Sequence, residues 1–244
     1  MTDLQESTVP AESAISFSAE TMHGHVDEHR VAEWELKAAR RALANLHELL
    51  YGDAMRDLLR PQVEESDRRL RQYLAESDGR FSQTQVVLAL PGVNTAAYGP
   101  SLPNVLGAFG GPPEQLRELA LKFLFPMHPE HYDLPPYPGV IETMGGLPTR
   151  SRVMVIDNPP DFVSEFIDES YPIRMSGAAE IDDGTLFTYV LQQFKDIEGG
   201  MEANLRIWYP AACPPIFLEE HAEHYTVEFH NALSALAART SELT

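Results

Sequence analysis

The chain has one cysteine, Cys213, among its 244 residues. No intrachain disulfide and no all-cysteine metal site can therefore be built. Its setting in Ala-Ala-Cys-Pro-Pro suits a small buried thiol better than a nucleophile. Positive charge is also scarce. There are 18 Lys and Arg against 37 Asp and Glu, a formal net charge of -19, and no basic patch that would draw nucleic acid or an anionic membrane. No apolar run approaches the roughly 18 residues of a membrane span, and no basic segment leads into an apolar one at the start. Neither a span nor a secretory signal is expected, and a cytoplasmic location follows by default. The glycines between residues 92 and 111 have the wrong spacing for a dinucleotide fingerprint, and no Lys-Ser or Lys-Thr pair follows them as in a phosphate loop. A Gly-x-Ser-x-Gly elbow is missing too, which leaves a serine triad without support.

What remains is a folded protein with 43% hydrophobic residues and, with 19 prolines and 15 glycines, many loops. Residues 1–20, rich in Ser, Thr and Glu, read as a flexible leader. Residues 21–80 form a helical region, with one helix to about residue 51 and a second over 53–75 broken near Pro61. At its entrance stand His23, His25 and His29. They could bind a metal, but they read more simply as a solvated helix start.

Residues 81–244 form the main domain. Strands are expected at 85–90, 140–144 and 152–156, then at 171–181, 185–194 and 201–209. Asp-Asp-Gly and Glu-Gly-Gly turns join the last three, and a short helix over 161–169 precedes them. A helix opens at Pro112-Pro113 and runs to about residue 124. Antiparallel strands followed by one long closing helix give an α+β protein rather than alternating βαβ units. Strand 185–194 carries large groups on both faces, so cover is expected from the final helix on one side and from the N-terminal helices on the other.

That final helix, entered from Pro214-Pro215 and continuing through Leu236, holds the chemistry. At about 100° per residue, Phe217, His221, His224, Glu228, Ala232 and Ala235 share one face, bordered by Tyr225 and Leu236. Two imidazoles and a carboxylate on a buried stripe need hydrogen-bond partners, water or a metal ion. His224 and Glu228 stand four residues apart, where helical side chains can reach one ion, and His221 could join them. Imidazole with carboxylate suits zinc, or iron with more open positions. Further ligands must come from elsewhere. His128 and His131, in the proline-punctuated stretch Phe125-Pro-Met-His128-Pro-Glu130-His131-Tyr132, and Glu142, on strand 140–144, are the candidates. The ion would sit at the open end of an apolar cavity lined by aromatic residues such as Trp208, Tyr189 and Phe194.

The His224/Glu228 pair near the C-terminus, with Glu142 and the Met127-His-Pro-Glu-His131 segment before it, resembles the diacetylphloroglucinol hydrolase family, also called phloretin-hydrolase-like enzymes. The likeness covers about residues 120–235. It implies a helix-grip (START/Bet v 1-like) fold, a curved antiparallel sheet closed by the long C-terminal helix. It also implies zinc-dependent cleavage of a carbon–carbon bond between an acyl group and a polyhydroxylated aromatic ring. His224, Glu228 and Glu142 match the family's ligands, and the remaining His is either His128 or His131. With His128 as the ligand, His131 and Tyr225 are left as proton donors. The aromatic-rich stretch ending in His that the family carries upstream of His-Pro is missing.

The expected partner is an aromatic, apolar small molecule, and a homo-oligomer is compatible with the chain. Two other functions fit the same residues. One is a carrier or sensor of an apolar small molecule, which has no need of two imidazoles and a carboxylate in its pocket. The other is a metal-free cyclase or isomerase using His224 as acid and base.

Overall fold

The computed structural model describes residues 19–22, 24–98, 112–134 and 139–241, and the chain divides into two compact units, Met1–Asn45 and Leu46–Thr244. In the first unit β1 (Ala19–Thr21) pairs antiparallel with β2 (Gly24–Val26), and α1 (Glu28–Leu50) follows. The Asp27 carboxylate accepts the Arg30 N–H at 2.8 Å, which caps this helix. Of the N-terminal histidines, His23 lies outside the described residues. His25 bonds Glu20 at 3.0 Å and His29 lies 3.6 Å from Glu33. Neither joins a group of metal-type ligands among the described residues.

In the second unit α2 (Asp53–Ser77) runs straight through Pro61, where a break was expected. Pro61 and Asp57, the residue four before it, are both exposed, so water can reach the carbonyl that loses its partner. The helix ends where Asp78 and Gly79 take left-handed conformations, at φ 50° and 73°. Seven antiparallel strands follow: β3 (Phe81–Pro91), β4 (His131–Asp133), β5 (Gly139–Met144), β6 (Leu147–Val155), β7 (Ile173–Glu180), β8 (Leu186–Ile197) and β9 (Gly200–Pro210). They form one sheet in the order β3-β9-β8-β7-β6-β5-β4. The short strand β4 was not expected from the sequence; it is where His131 sits. Short helices α3 (Thr95–Tyr98), α4 (Pro113–Leu119), α5 (Phe125–Met127) and α6 (Asp161–Ser164) lie in the connections, and α7 (Ile216–Ser241) closes the fold. A curved antiparallel sheet gripped by a long C-terminal helix, with a helical N-terminal region, is the helix-grip architecture.

The main core lies between sheet and α7. Phe187, Phe194, Leu205, Ile207 and Tyr209 from β8 and β9 meet Phe217, Tyr225, Phe229 and Leu233, with Leu70 of α2 among them. Each large side chain buried there contributes about 1.5–3 kcal/mol. The buried stripe of α7 is rotated from the expected one. It runs through Phe217, His221, His224, Tyr225, Phe229 and Leu233, while Ala235 is exposed. Burying aromatic and leucine side chains removes more apolar area than burying alanines, and this sets the rotation.

The sheet's second layer also differs from expectation. Trp208 and Tyr189 are register partners in β9 and β8. They face away from α7 and pack with Phe81, Phe162, Val163, Phe166 and Leu191. They are therefore not in the interior beside α7, because the pleat sends alternate residues of one strand to opposite faces. Phe194, five residues beyond Tyr189, does face α7 and stacks on Phe229.

Candidate metal centre

Three elements bring the polar residues of the interior together. His131 opens β4 and Glu142 lies directly opposite it on β5. His224 and Glu228 stand one turn apart on α7. The Nε2 atoms of His131 and His224 are 3.0 Å apart, and Glu142 Oε2 is 3.3 Å from the first and 3.4 Å from the second. Glu228 Oε2 is 3.9 Å from His224 Nε2, and His131, His224 and Glu228 offer ligand atoms mutually within 4.8 Å. Ligands held about 2.0–2.1 Å from a tetrahedral ion stand roughly 3.3–3.4 Å from one another. The two distances from Glu142 match those edges, the 3.0 Å between the two histidine nitrogens is a little shorter, and Glu228 is the loosest of the four.

Outer contacts aim these groups. His131 Nδ1 donates to the Leu124 carbonyl at 2.7 Å. This fixes a proton on Nδ1 and aims Nε2 at the cluster. Near the ends of the ligand-bearing elements, the Gly146 N–H after β5 donates to Glu220 of α7 at 2.9 Å. Just beyond His131, the fully buried Asp133 accepts from Gly52 N–H at 3.1 Å and from Arg56 at 2.8 Å.

Burial decides the charges. Burial alone would raise the Glu142 carboxyl, but His224 and His131 beside it hold it down at about 2. Burial lowers His224 to about 2. For His131 burial works against protonation, yet its bond to Glu142 wins and its pKa rises. Burial pushes Glu228 up to about 7. His224 Nδ1 is buried without a partner among the described residues.

The placement of the other candidates reorders their roles. His128, expected among the ligands, is close enough to form a second group with Glu130 and His224. Its ring, however, stacks on His224 with centroids 3.7 Å apart and 25° between planes. The two groups share His224. His131, expected as a proton donor, instead faces the ligand cluster. His221 is buried, and its Nδ1 lies 3.0 Å from the Tyr209 hydroxyl. Burial lowers its pKa to about 4, as it does for His128. Tyr225 packs edge-on against His221 at 4.5 Å and against Phe229 at 5.8 Å, and burial raises its pKa. It is a core residue bordering the cluster.

Sequence reasoning missed three features near these residues: Tyr209, the Leu124 carbonyl and His47. His47 is buried, stacks on Phe125 at 3.8 Å, and has no partner for Nε2 among the described residues. Tyr209 shares the alternation of Leu205 and Ile207, which was the one available signal for its inward direction.

No family model matches the chain, and a search of curated proteins finds no significant match. Among solved structures, Ara h 8.0201 is similar at 11% identity over 65% of this chain and 99% of its own, with a TM-score of 0.37. A Rhizobium leguminosarum protein solved by the Northeast Structural Genomics Consortium is similar at 14% identity over 66% of this chain and 97% of its own, with a TM-score of 0.33. Two His/Glu groups that can take a divalent cation, beside an interior walled by buried aromatic and aliphatic side chains, are what this chain presents. Among the described residues no helix is long and apolar enough to cross a membrane.

Proposed function

We propose that His131, Glu142, His224 and Glu228 hold a zinc ion and that the protein is a hydrolase cleaving the carbon–carbon bond between an acyl group and a phenolic ring. The observation that carries the metal is the 3.0–3.4 Å spacing of His131, Glu142 and His224. Two nitrogens and two carboxylate oxygens are a donor set that zinc accepts and that iron shares. Acyl-phenol cleavage rests on the family resemblance alone. The aromatic and aliphatic walls of the interior suit such a substrate.

A bound zinc would supply polarisation of a carbonyl oxygen and a more acidic water, together several kcal/mol. The remaining work falls to this chain's side chains. Buried Phe194, Tyr225 and Phe229 keep water from the cluster. His221, bonded at Nδ1 to Tyr209, can present an Nε2 proton to a phenolic oxygen or to the ring carbon that loses the acyl group. Glu228 is the loosest member of the set, and its shift outward can open a coordination position. His224 is poorly suited to acid–base work, since burial keeps it neutral down to about pH 2; this favours a ligand over the catalyst of a metal-free isomerase.

The deciding experiment is the zinc and iron content of purified protein beside His224→Ala and Glu228→Ala, with release of acetate from an acetylated phloroglucinol as the activity readout. Stoichiometric zinc lost in both variants, together with acetate release, is expected. Metal at background level in all three proteins refutes the reading. The second reading, a carrier or sensor, is favoured by the apolar interior, which needs no metal to hold an aromatic guest. Binding of the acylphenol without acetate release selects it.

A further inference from the structure

One feature around the metal ligands is irregular. Between α4 and α5 the helix widens into a single π-helical turn, Ala120–Leu124, closed by the Phe125 N–H donating to the Ala120 carbonyl five residues back. Such turns are rare and concentrate at functional sites. Its local cause stands two residues past its end. Pro126 sits inside the continuing helix, where it has no N–H to give and its ring would press on the Lys122 carbonyl in an α-helical path. Widening the turn before it moves that carbonyl aside.

The consequence reaches the site. In a regular helix the Leu124 carbonyl would be taken by the His128 N–H, but that contact is long, at 3.5 Å. The same carbonyl also accepts a much shorter bond from His131 Nδ1, at 2.7 Å. We propose that Pro126, through the π-helical turn it imposes, is a positioning residue: it weakens the His128 N–H bond to the Leu124 carbonyl and turns that carbonyl toward His131, which then keeps a proton on Nδ1 and points Nε2 toward Glu142 and His224. The inference rests on His131 being a metal ligand, as argued above. Pro126 itself is exposed, and its effect is argued through the backbone.

The test uses Pro126→Ala and, separately, deletion of the exposed Lys122, which removes the residue that makes the turn wide. Three readouts are taken: zinc affinity by chelator competition, the His131 tautomer in metal-free protein at alkaline pH by long-range proton–nitrogen NMR, and the melting temperature without metal. Orienting contacts of this kind change metal affinity by about 10–100-fold when lost. Both variants are expected to bind zinc about tenfold or more weakly and to lose the uniform Nδ1–H signature, with melting close to that of the parent. Unchanged affinity and an unchanged tautomer in folded Pro126→Ala overturn the proposal. If the parent itself takes up no zinc, the metal reading falls; the tautomer in metal-free protein still decides whether Pro126 orients His131.

Discussion

The charge state of the cluster's side chains makes metal uptake a proton-release reaction. Below its raised pKa His131 carries a proton, Glu142 is ionised, and Glu228 is half-protonated at about pH 7. A divalent ion must displace both kinds of proton, since only neutral imidazole and carboxylate bind it. At pH 7 Glu228 gives up about half a proton per ion, and His131, its pKa raised, adds its own share. Below about pH 6 both groups hold protons and the release approaches two, so the dissociation constant worsens by roughly 100-fold per pH unit; above about pH 8 Glu228 contributes little and the slope flattens. The sign is the same throughout: affinity rises with pH, because both folded-state pKa values are raised and the free protein holds the extra protons. Calorimetric titration of zinc at one pH in buffers of different ionisation heat gives the number of protons directly. His131→Gln should reduce the release at pH 7 to about the half contributed by Glu228. Release well under half a proton at pH 7, or an affinity that stays flat between pH 6 and 8, would show that these residues are not the ligands.

Two further outcomes test the packing and the electrostatics. Gly145 and Gly146 both have positive φ, at 59° and 76°, but an added Cβ at Gly145 would run into the Phe217 ring, whereas at Gly146 it meets open space. Gly145→Ala should therefore cost more than about 2 kcal/mol and Gly146→Ala only about 1 kcal/mol by thermal or urea unfolding; equal losses would mean that the contact with Phe217 does not matter. Burial, then the charge of Asp182, raises buried Asp67 to about 6. Its folded pKa lies above the unfolded one, so the ionised form is disfavoured in the fold and stability is lost as pH rises from about 4 through about 6. Asp67→Asn should remove that slope and gain about 1–3 kcal/mol above pH 6 relative to its effect at pH 4; a difference between the two proteins that does not vary with pH defeats this account.

The strands of the fold were legible because turn chemistry and alternation are local. The Asp-Asp-Gly and Glu-Gly-Gly turns do join β7 to β8 and β8 to β9, and Gly145-Gly146 ends β5 before β6. Other features depended on competition that no local window contains. The rotation of α7 follows from which residues remove most apolar area against β8 and β9, so Tyr225, Phe229 and Leu233 displaced the alanines. Trp208 and Tyr189 went to the face covered by Phe162 and Phe166 because Phe187, Phe194 and Tyr209 fill the face toward α7. α2 continued through Pro61 because the lost hydrogen bond falls on the solvent side.

The site was legible in kind and not in assignment. Residue types that resist burial, at a spacing of four on a helix, single out His224 and Glu228, and a carboxylate on a short strand singles out Glu142. The choice between His128 and His131 lies only three residues apart in the chain, yet it depends on where the backbone turns between them. His128 leaves the helix with an extended backbone, at φ -144° and ψ 137°, and its ring lies flat on His224. His131 has already entered β4, opposite Glu142, and takes the Leu124 carbonyl. Spacing could not separate them, because both positions lie within side-chain reach of the same helix. In the proposed centre His131 is preferred for the direction of its Nε2, which the Leu124 carbonyl sets by holding Nδ1, and a backbone carbonyl is a kind of group that carries no signature of its own in a sequence.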